Sequence, residues 1–214
     1  MIFSVITPVY DPVAEYLTAA YDSLHDQEMP PGWEWEWIAQ EDGRTGVAHE
    51  ILPADPRISF GTGRHAGVAI TRNLGLARAS GSVIKTLDQD DILTPGVLGR
   101  DIIVLRAHDD VHRAASRALD LLPDGSTVVS AILQRLLTAL GGWMAVPGSD
   151  DTGMLVAASI LAPGYFHGDV GLLYRKYPGQ ATASADHNEV AERRLRMSVI
   201  RERAESIIRW SPGF

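Results

Sequence analysis

The chain has 214 residues, 45% of them hydrophobic and 21% charged, so it can bury one substantial core and is too apolar for disorder. It has no cysteine, which excludes disulfides, thiolate catalysis and Cys-based zinc sites. A net charge of −8 argues against a nucleic-acid partner, because backbone binding needs clustered positive charge.

Residues 3–9 are a short apolar, β-branched run, the pattern of a buried parallel strand. Asp11 and Pro12 then read as N-cap and first position of a helix in which Val13, Leu17, Ala20, Tyr21 and Leu24 recur at helical spacing. Met29-Pro30-Pro31-Gly32 breaks the chain. Trp33, Trp35 and Trp37 alternate with period two, predicting a strand that runs to Glu41 and puts these rings in the core rather than against a sugar. A third strand is expected over 57–61. The stripe Ala66, Ile70, Leu74, Ala77 predicts a helix closed by Gly81. A fourth strand over 83–87 ends in Asp88-Gln89-Asp90-Asp91. Thr94-Pro95 starts a further helix carrying Leu98, Ile102 and Leu105.

Alternating strands and helices predict an α/β fold with a mostly parallel sheet and right-handed crossovers. Such sheets bind ligands beyond the carboxyl ends of their strands. Three of the four predicted strand ends carry polar clusters: Tyr10-Asp11, Glu41-Asp42 and the acidic run 88–91.

The second half is less regular. A tight turn is expected over 121–126, a helix over 131–140 closed by Gly141-Gly142, and another opening at Asp150-Asp151 with Leu155, Ala158 and Leu161. A strand follows over 169–176. A long helix over 188–209 places Ala191, Leu195, Ile200, Ala204 and Ile208 near one face. Residues 190–214 hold six Arg against three Glu, which leaves −11 on the remainder. That helix is expected to pack on the body or on a homodimer partner. With no leader-like start and no apolar run near the roughly 20 residues a bilayer needs, a cytoplasmic protein without a transmembrane segment is expected.

Three carboxylates within four residues repel one another unless a cation or solvent relieves them. Hard ions such as Mn2+ or Mg2+ suit carboxylate oxygens combined with substrate phosphate oxygens. An acidic start to the following helix accounts for the same residues equally well.

Several motifs occur in a telling order. They are Ser4-Val5-Ile6-Thr7-Pro8-Val9-Tyr10, then Thr71-Arg72-Asn73-Leu74-Gly75 within 67–81, then Leu87-Asp88-Gln89-Asp90-Asp91. Leu140-Gly141-Gly142-Trp143 with Ser149-Asp150-Asp151-Thr152 follows, and Tyr174-Arg175-Lys176 with Gly179-Gln180 comes last. Together the chain resembles bacterial family-2 glycosyltransferases over most of residues 1–182. The resemblance implies a GT-A-type, Rossmann-like fold. It would have a nucleotide-sugar-binding half over 1–110, an acceptor-binding and catalytic half over 111–187, and a C-terminal helix over 188–214, in one compact domain.

It also implies inverting transfer from a nucleoside-diphosphate sugar to an acceptor hydroxyl, with Mn2+ or Mg2+ as cofactor. By the same resemblance Pro8, Val9 and Tyr10 would line the nucleobase pocket and Asp42 would accept a hydrogen bond from the base. Arg72 would face the base or the diphosphate. Asp88 would lie near the ribose and the metal's water shell, and Asp90 would ligate the metal. Asp151 would be the general base, with Asp150 the alternative one residue away. Trp143 would stack on a sugar, and Arg175 and Lys176 would neutralise the diphosphate or sit on a solvated strand edge. His65 and His167 read as ordinary polar residues rather than ligands. The short stretch 124–140 departs from the family pattern and bears on acceptor recognition. It keeps open a non-catalytic nucleotide- or carbohydrate-binding module. A nucleotidyltransferase is disfavoured, because 8–12 lacks a Gly-rich basic loop.

Overall fold

The computed structural model of the chain describes residues 1–121, 128–133, 140–177, 180 and 189–210. The apolar run near the N-terminus forms β1 (Ile2–Val9), and the tryptophan run forms β2 (Glu34–Glu41). With β3 (Ile58–Thr62) and β4 (Val83–Thr86) they make the parallel half of one sheet, in the order β3-β2-β1-β4. The sheet continues through β7 (Val128–Leu133), β6 (Arg113–Asp120), β8 (Gly164–Tyr174) and β5 (Ile92–Leu93). β7 is antiparallel to both β4 and β6, whereas β8 runs parallel to β6.

Strand pleating sends alternate residues to opposite faces. Phe3, Val5, Trp35 and Trp37 meet Leu17, Ala20 and Leu24 of α1 (Ala14–His25) and Leu98 and Ile102 of α4 (Val97–Ala107). Trp33, just before β2, and Trp35 and Trp37 within it are thus core residues, and Trp37 Nε1 donates to Thr7 Oγ1 at 2.7 Å. On the other face Ile6, Ile38 and Ile84 pack with Ala69 of α3 (Val68–Leu76) and with Met154, Ala157 and Ala158 of α5 (Asp150–Leu161). A short α2 (Val47–Ile51) links β2 to β3.

Several local expectations change. α1 starts at Ala14, because Asp11 sits at φ 43 and caps nothing. α3 buries Ala69, Thr71, Arg72 and Gly75, while Leu74 of the predicted stripe is exposed. The face is turned because Gly75 lets the helix approach β1, where a Cβ would sit 2.6 Å from Ile6 Cγ2. α3 ends at Leu76, with Ala77 as its C-cap, four residues before Gly81. Gly96, at φ 72, caps α4, and Thr94 instead donates its hydroxyl to the Val170 carbonyl at 2.6 Å.

Residues 128–133 form a strand, so 131–133 are extended where the helix expected over 131–140 would begin, because β7 fills the sheet between β4 and β6. The rest of that expected helix, 134–139, and the expected turn at 122–126 lie outside the described residues. β8 begins at Gly164, five residues before the expected strand. A register shift against β6 on either side of Arg117 had broken its alternation. The last helix, α6 (Val190–Trp210), buries Arg196 and Ile200 and exposes Leu195 and Ile208, so the predicted stripe meets the body at Ile200 while its two ends face solvent. Its expected start at Asn188, and Gly179 of the last motif, lie outside the described residues. No helix among the described residues is long and apolar enough to cross a membrane.

Candidate active site

The ends of β1, β2 and β4 converge. Gln89 fastens two of them, accepting from the Tyr10 amide and donating to the Tyr10 carbonyl, both at 2.9 Å. Tyr10 is 60% exposed and stacks on His65, with ring centroids 4.8 Å apart. Asp42 is buried beside this pair. Its Oδ1 accepts from the Ala66 amide at 2.7 Å, and its Oδ2 from the Gly67 amide at 3.0 Å and faces His65 Nδ1 at 3.1 Å. Asp42 therefore already braces the loop that enters α3. Pro8 is half-buried in the strand. Val9, expected to line a pocket, is wholly buried in the core, because pleating turns its side chain toward α1. Only its backbone reaches the site, its carbonyl accepting from the Asp42 amide at 2.8 Å.

Arg72 organises the other side. It is 3% exposed, and its guanidinium meets three carboxylates. Nη2 donates to Asp88 Oδ1 at 2.7 Å, and Nη1 donates to Asp150 Oδ2 at 2.7 Å and Asp151 Oδ1 at 2.9 Å. Burial alone would lower its pKa, but Asp151, Asp88 and Asp150 more than reverse that, so it stays charged. Its expected place facing the base or diphosphate is not the one seen, since both terminal nitrogens are spent on carboxylates.

The same geometry separates the two candidate bases. Asp150 keeps 5% of its side chain in solvent and Asp151 keeps 52%. Asp151 Oδ1 accepts from Arg72 and from Trp143 Nε1 at 3.1 Å, while its Oδ2 accepts no hydrogen bond among the described residues. Solvent touches half of this side chain, but protein encloses the rest. That desolvation pushes the pKa up to about 6, against the opposing pull of Arg72. Asp150 and Asp88 push the same way, and the Trp143 bond pulls down. Both residues start α5, where the helix N-terminus favours negative charge. Ser149 before them sits at φ 61. It and Asp11 are the non-glycine residues with positive φ among those described, and both border this region.

Trp143 departs from expectation. At 5% exposure it cannot stack on a sugar, and its indole is spent on Asp151. Its backbone is gripped by Asn73, a residue of the 71–75 motif to which no role is assigned from sequence. The Asn73 Nδ2 donates to the Trp143 carbonyl at 2.9 Å, and the Trp143 amide donates to Asn73 Oδ1 at 2.8 Å. The available signal was an asparagine inside a helix, a poor helix former that needs a polar partner.

The acidic run forms the third wall. Asp90 and Asp91 are both buried. The Arg175 amide donates to Asp91 Oδ1 at 3.0 Å and Arg175 Nε to the Asp90 carbonyl at 2.8 Å, with the guanidinium lying over Tyr16. Arg175 Nη1 and Nη2 make no hydrogen bond among the described residues, so this cation stays available to a ligand. Burial, then the Asp88 charge, raises the pKa of both Asp90 and Asp91. Tyr177 hydrogen-bonds Asp90, and its own pKa is pushed up to about 12 by burial and by that carboxylate. Two desolvated carboxylates whose ionisation is opposed fit a hard cation. No group of three or more His, Asp or Glu among the described residues forms a complete cage, so oxygens from a ligand would have to finish the coordination.

Lys176 faces away, with Nζ 3.9 Å from Asp120 and over the Tyr174 ring. His167 lies apart from the site, 3.4 Å from Asp101, which is paired with buried Lys85 at 3.0 Å.

Comparison with known proteins bears on the family and the fold. The family model described as Glycosyl transferase family 2 matches residues 4–113, just over half of the chain. TuaG of Bacillus subtilis strain 168, named as a teichuronic acid biosynthesis glycosyltransferase, is 36% identical over 93 residues, which are 41% of this chain and 35% of TuaG. S. aureus TarS 1-349 in complex with UDP-GlcNAc superposes with TM-score 0.76 at 17% identity, over 86% of this chain and 61% of that one. The mannosyltransferase PcManGT from Pyrobaculum calidifontis, in complex with GDP-Man and Mn2+, gives TM-score 0.66 at 17% identity over 84% and 57%. At such identity these likenesses concern the fold, and the expected GT-A-type α/β architecture is the one observed. The chain spans less than two thirds of each of these relatives.

Proposed function

Since the chain belongs to glycosyl transferase family 2, we propose that it is a metal-dependent, inverting glycosyltransferase acting from a nucleoside-diphosphate sugar onto an acceptor hydroxyl. The observation that carries this reading is the Asp151 carboxylate, half open to solvent, with one oxygen held by Arg72 and Trp143 and the other unengaged among the described residues.

In this reading Asp151 Oδ2 takes the acceptor's hydroxyl proton as the acceptor oxygen bonds to the anomeric carbon. The bond from that carbon to the diphosphate oxygen breaks, and its electron pair leaves with the diphosphate. A carboxylate with raised proton affinity suits a base that works near neutral pH. Asp150, buried against Arg72, holds that arginine in place rather than meeting the acceptor. The base would stack by Tyr10 and Pro8, beside the loop braced by Asp42. The free Arg175 nitrogens would meet the diphosphate. Asp90, with Asp88 through water, would hold Mn2+ or Mg2+, which when bound neutralises charge growing on the leaving diphosphate. Support for the donor class comes from the fold relatives, one in complex with UDP-GlcNAc and one with GDP-Man and Mn2+. A cytoplasmic workplace follows from that donor class.

The test is a screen of nucleotide sugars, UDP-GlcNAc and GDP-mannose among them, with and without Mn2+. Thermal shift would read binding, and release of free nucleotide would read slow transfer to water. A donor at 100 times its Kd should add about 2.7 kcal/mol of stability. Metal-dependent binding and release of at least one nucleoside diphosphate is the expected result. Neither binding nor release with any nucleotide sugar would contradict the proposal.

A further inference from the structure

α3 bears on the candidate base by two routes, one direct and one through Trp143. Arg72 reaches Asp151 directly. The next residue, Asn73, points about 100° away around the helix and reaches the Trp143 backbone instead. That contact is a closed pair, one carboxamide donating to a carbonyl and accepting from the amide of the same residue. The chain arrives there through Gly141 and Gly142, at φ 74 and 73. A Cβ at Gly142 would run into the Asn73 carboxamide oxygen, so only glycine lets this strand of chain close on the asparagine. Beyond the clamp the indole is buried in the second core, with Met154 and Ala157 of α5 in the same cluster. Its N–H is aimed at the Oδ1 of Asp151.

We propose that Asn73 is a positioning residue for the base: it fixes the Trp143 backbone so that the indole N–H donates to Asp151 Oδ1 and leaves Oδ2 turned toward the acceptor. This rests on the reading of Asp151 as base, and it assigns the Gly-Gly-Trp segment to aiming that base rather than to holding sugar. The clamp acts on a carboxylate that also faces Arg72, Asp150 and Asp88. A donor on an ionised carboxylate favours the ionised form, so loss of the indole N–H must raise the pH at which Asp151 titrates.

The test needs no acceptor. Carboxyl 13C resonances of the full chain are followed against pH, with Asp151 identified by its loss in Asp151→Asn. Trp143→Phe removes the N–H and keeps an aromatic ring, and should raise the Asp151 midpoint by about one pH unit. Asn73→Ala should move it in the same direction. The double variant should move it no further than Trp143→Phe alone, because Asn73 acts through the indole. In wild-type protein the Trp143 indole 1H-15N resonance should shift with the Asp151 midpoint, a check that survives if a variant fails to fold. An Asn73→Ala protein that melts earlier but leaves the Asp151 midpoint unchanged would make the clamp merely structural and overturn the proposal. Full addition of the two shifts would overturn it as well. Undiminished turnover in Asp151→Asn would instead overturn the reading of Asp151 as base, whatever the titration shows, so the two failures are distinguishable.

Discussion

Replacing Arg72 by methionine is a severe local test of this site. Methionine roughly keeps the buried stem and removes the charge and the three hydrogen bonds at 2.7–2.9 Å. Asp88 and Asp151 keep 40% and 52% of their side chains in solvent, so water screens their loss and they contribute little. Asp150 keeps 5% and is left as a buried, unpaired carboxylate. Breaking a buried pair from one side costs about 3–5 kcal/mol. At about 2–4 °C per kcal/mol for a domain of this size, the melting temperature should fall by about 6–20 °C. Without Arg72 the native state holds carboxyl protons to higher pH than the unfolded chain does. A native state that binds the extra proton loses stability as pH rises, so the deficit should be smaller at pH 5 than at pH 8. Arg72→Met with Asp150→Asn should recover most of the loss. Lysine should not substitute well, because it cannot present a fork to three acids. Thermal unfolding by circular dichroism at the two pH values measures all of this. A variant within 2 °C of wild type at both pH values would refute the view of Arg72 as the buried counter-ion of this cluster.

Other consequences are simpler to state. Asp90→Asn should keep the fold and abolish the enhancement of donor binding by Mn2+, read by calorimetry with and without the ion; an unchanged enhancement would remove Asp90 as the ligand. Asp42→Ala frees the amides of Ala66 and Gly67, so it should weaken donor and free nucleoside diphosphate alike, and equal affinities would count against a role for that loop in the base pocket. Gly75→Ala drives a methyl into Ile6 and should cost about 1–3 kcal/mol in denaturant unfolding. Turnover should fall as pH drops below about 6, because Asp151 must be deprotonated to accept a proton; an acid limb near the ordinary carboxylate value of 3.8 would oppose that assignment.

Strand signals are easiest to read where one face is apolar and the other polar, or where a whole run is apolar. The alternation of Trp33, Trp35 and Trp37 and the run in β1 predict their core positions without further help. The acidic ends of β2 and β4 also showed as polar residues after buried strands. What stayed hidden depends on partners far along the chain. α3 buries Arg72 because three acids, two of them 78 and 79 residues away, neutralise it, and no local pattern announces that. Trp143 reads as a sugar-stacking ring, whereas the cluster that buries it includes Ile6, Ile38 and Ile84, all far earlier in the chain. Residues 131–133 read as the start of a helix and instead end β7, because β4 and β6 leave that strand a place in the sheet. Asp150 and Asp151 are equal in sequence, and only the depth of each beside Arg72 tells them apart.

That last distinction is the most direct handle on the whole account. The measurement is the rate of nucleotide release from a donor that binds with Mn2+, for wild type, Asp151→Asn and Asp150→Asn, with donor affinity measured in parallel. Asp151→Asn should lower the rate by about 10²–10⁴-fold at unchanged donor affinity, since removing a general base slows only the chemical step. Asp150→Asn should retain far more of the rate and lose chiefly stability. An Asp151→Asn protein as fast as wild type, or an inactive Asp150→Asn protein beside it, would contradict the assignment of Asp151 as the base.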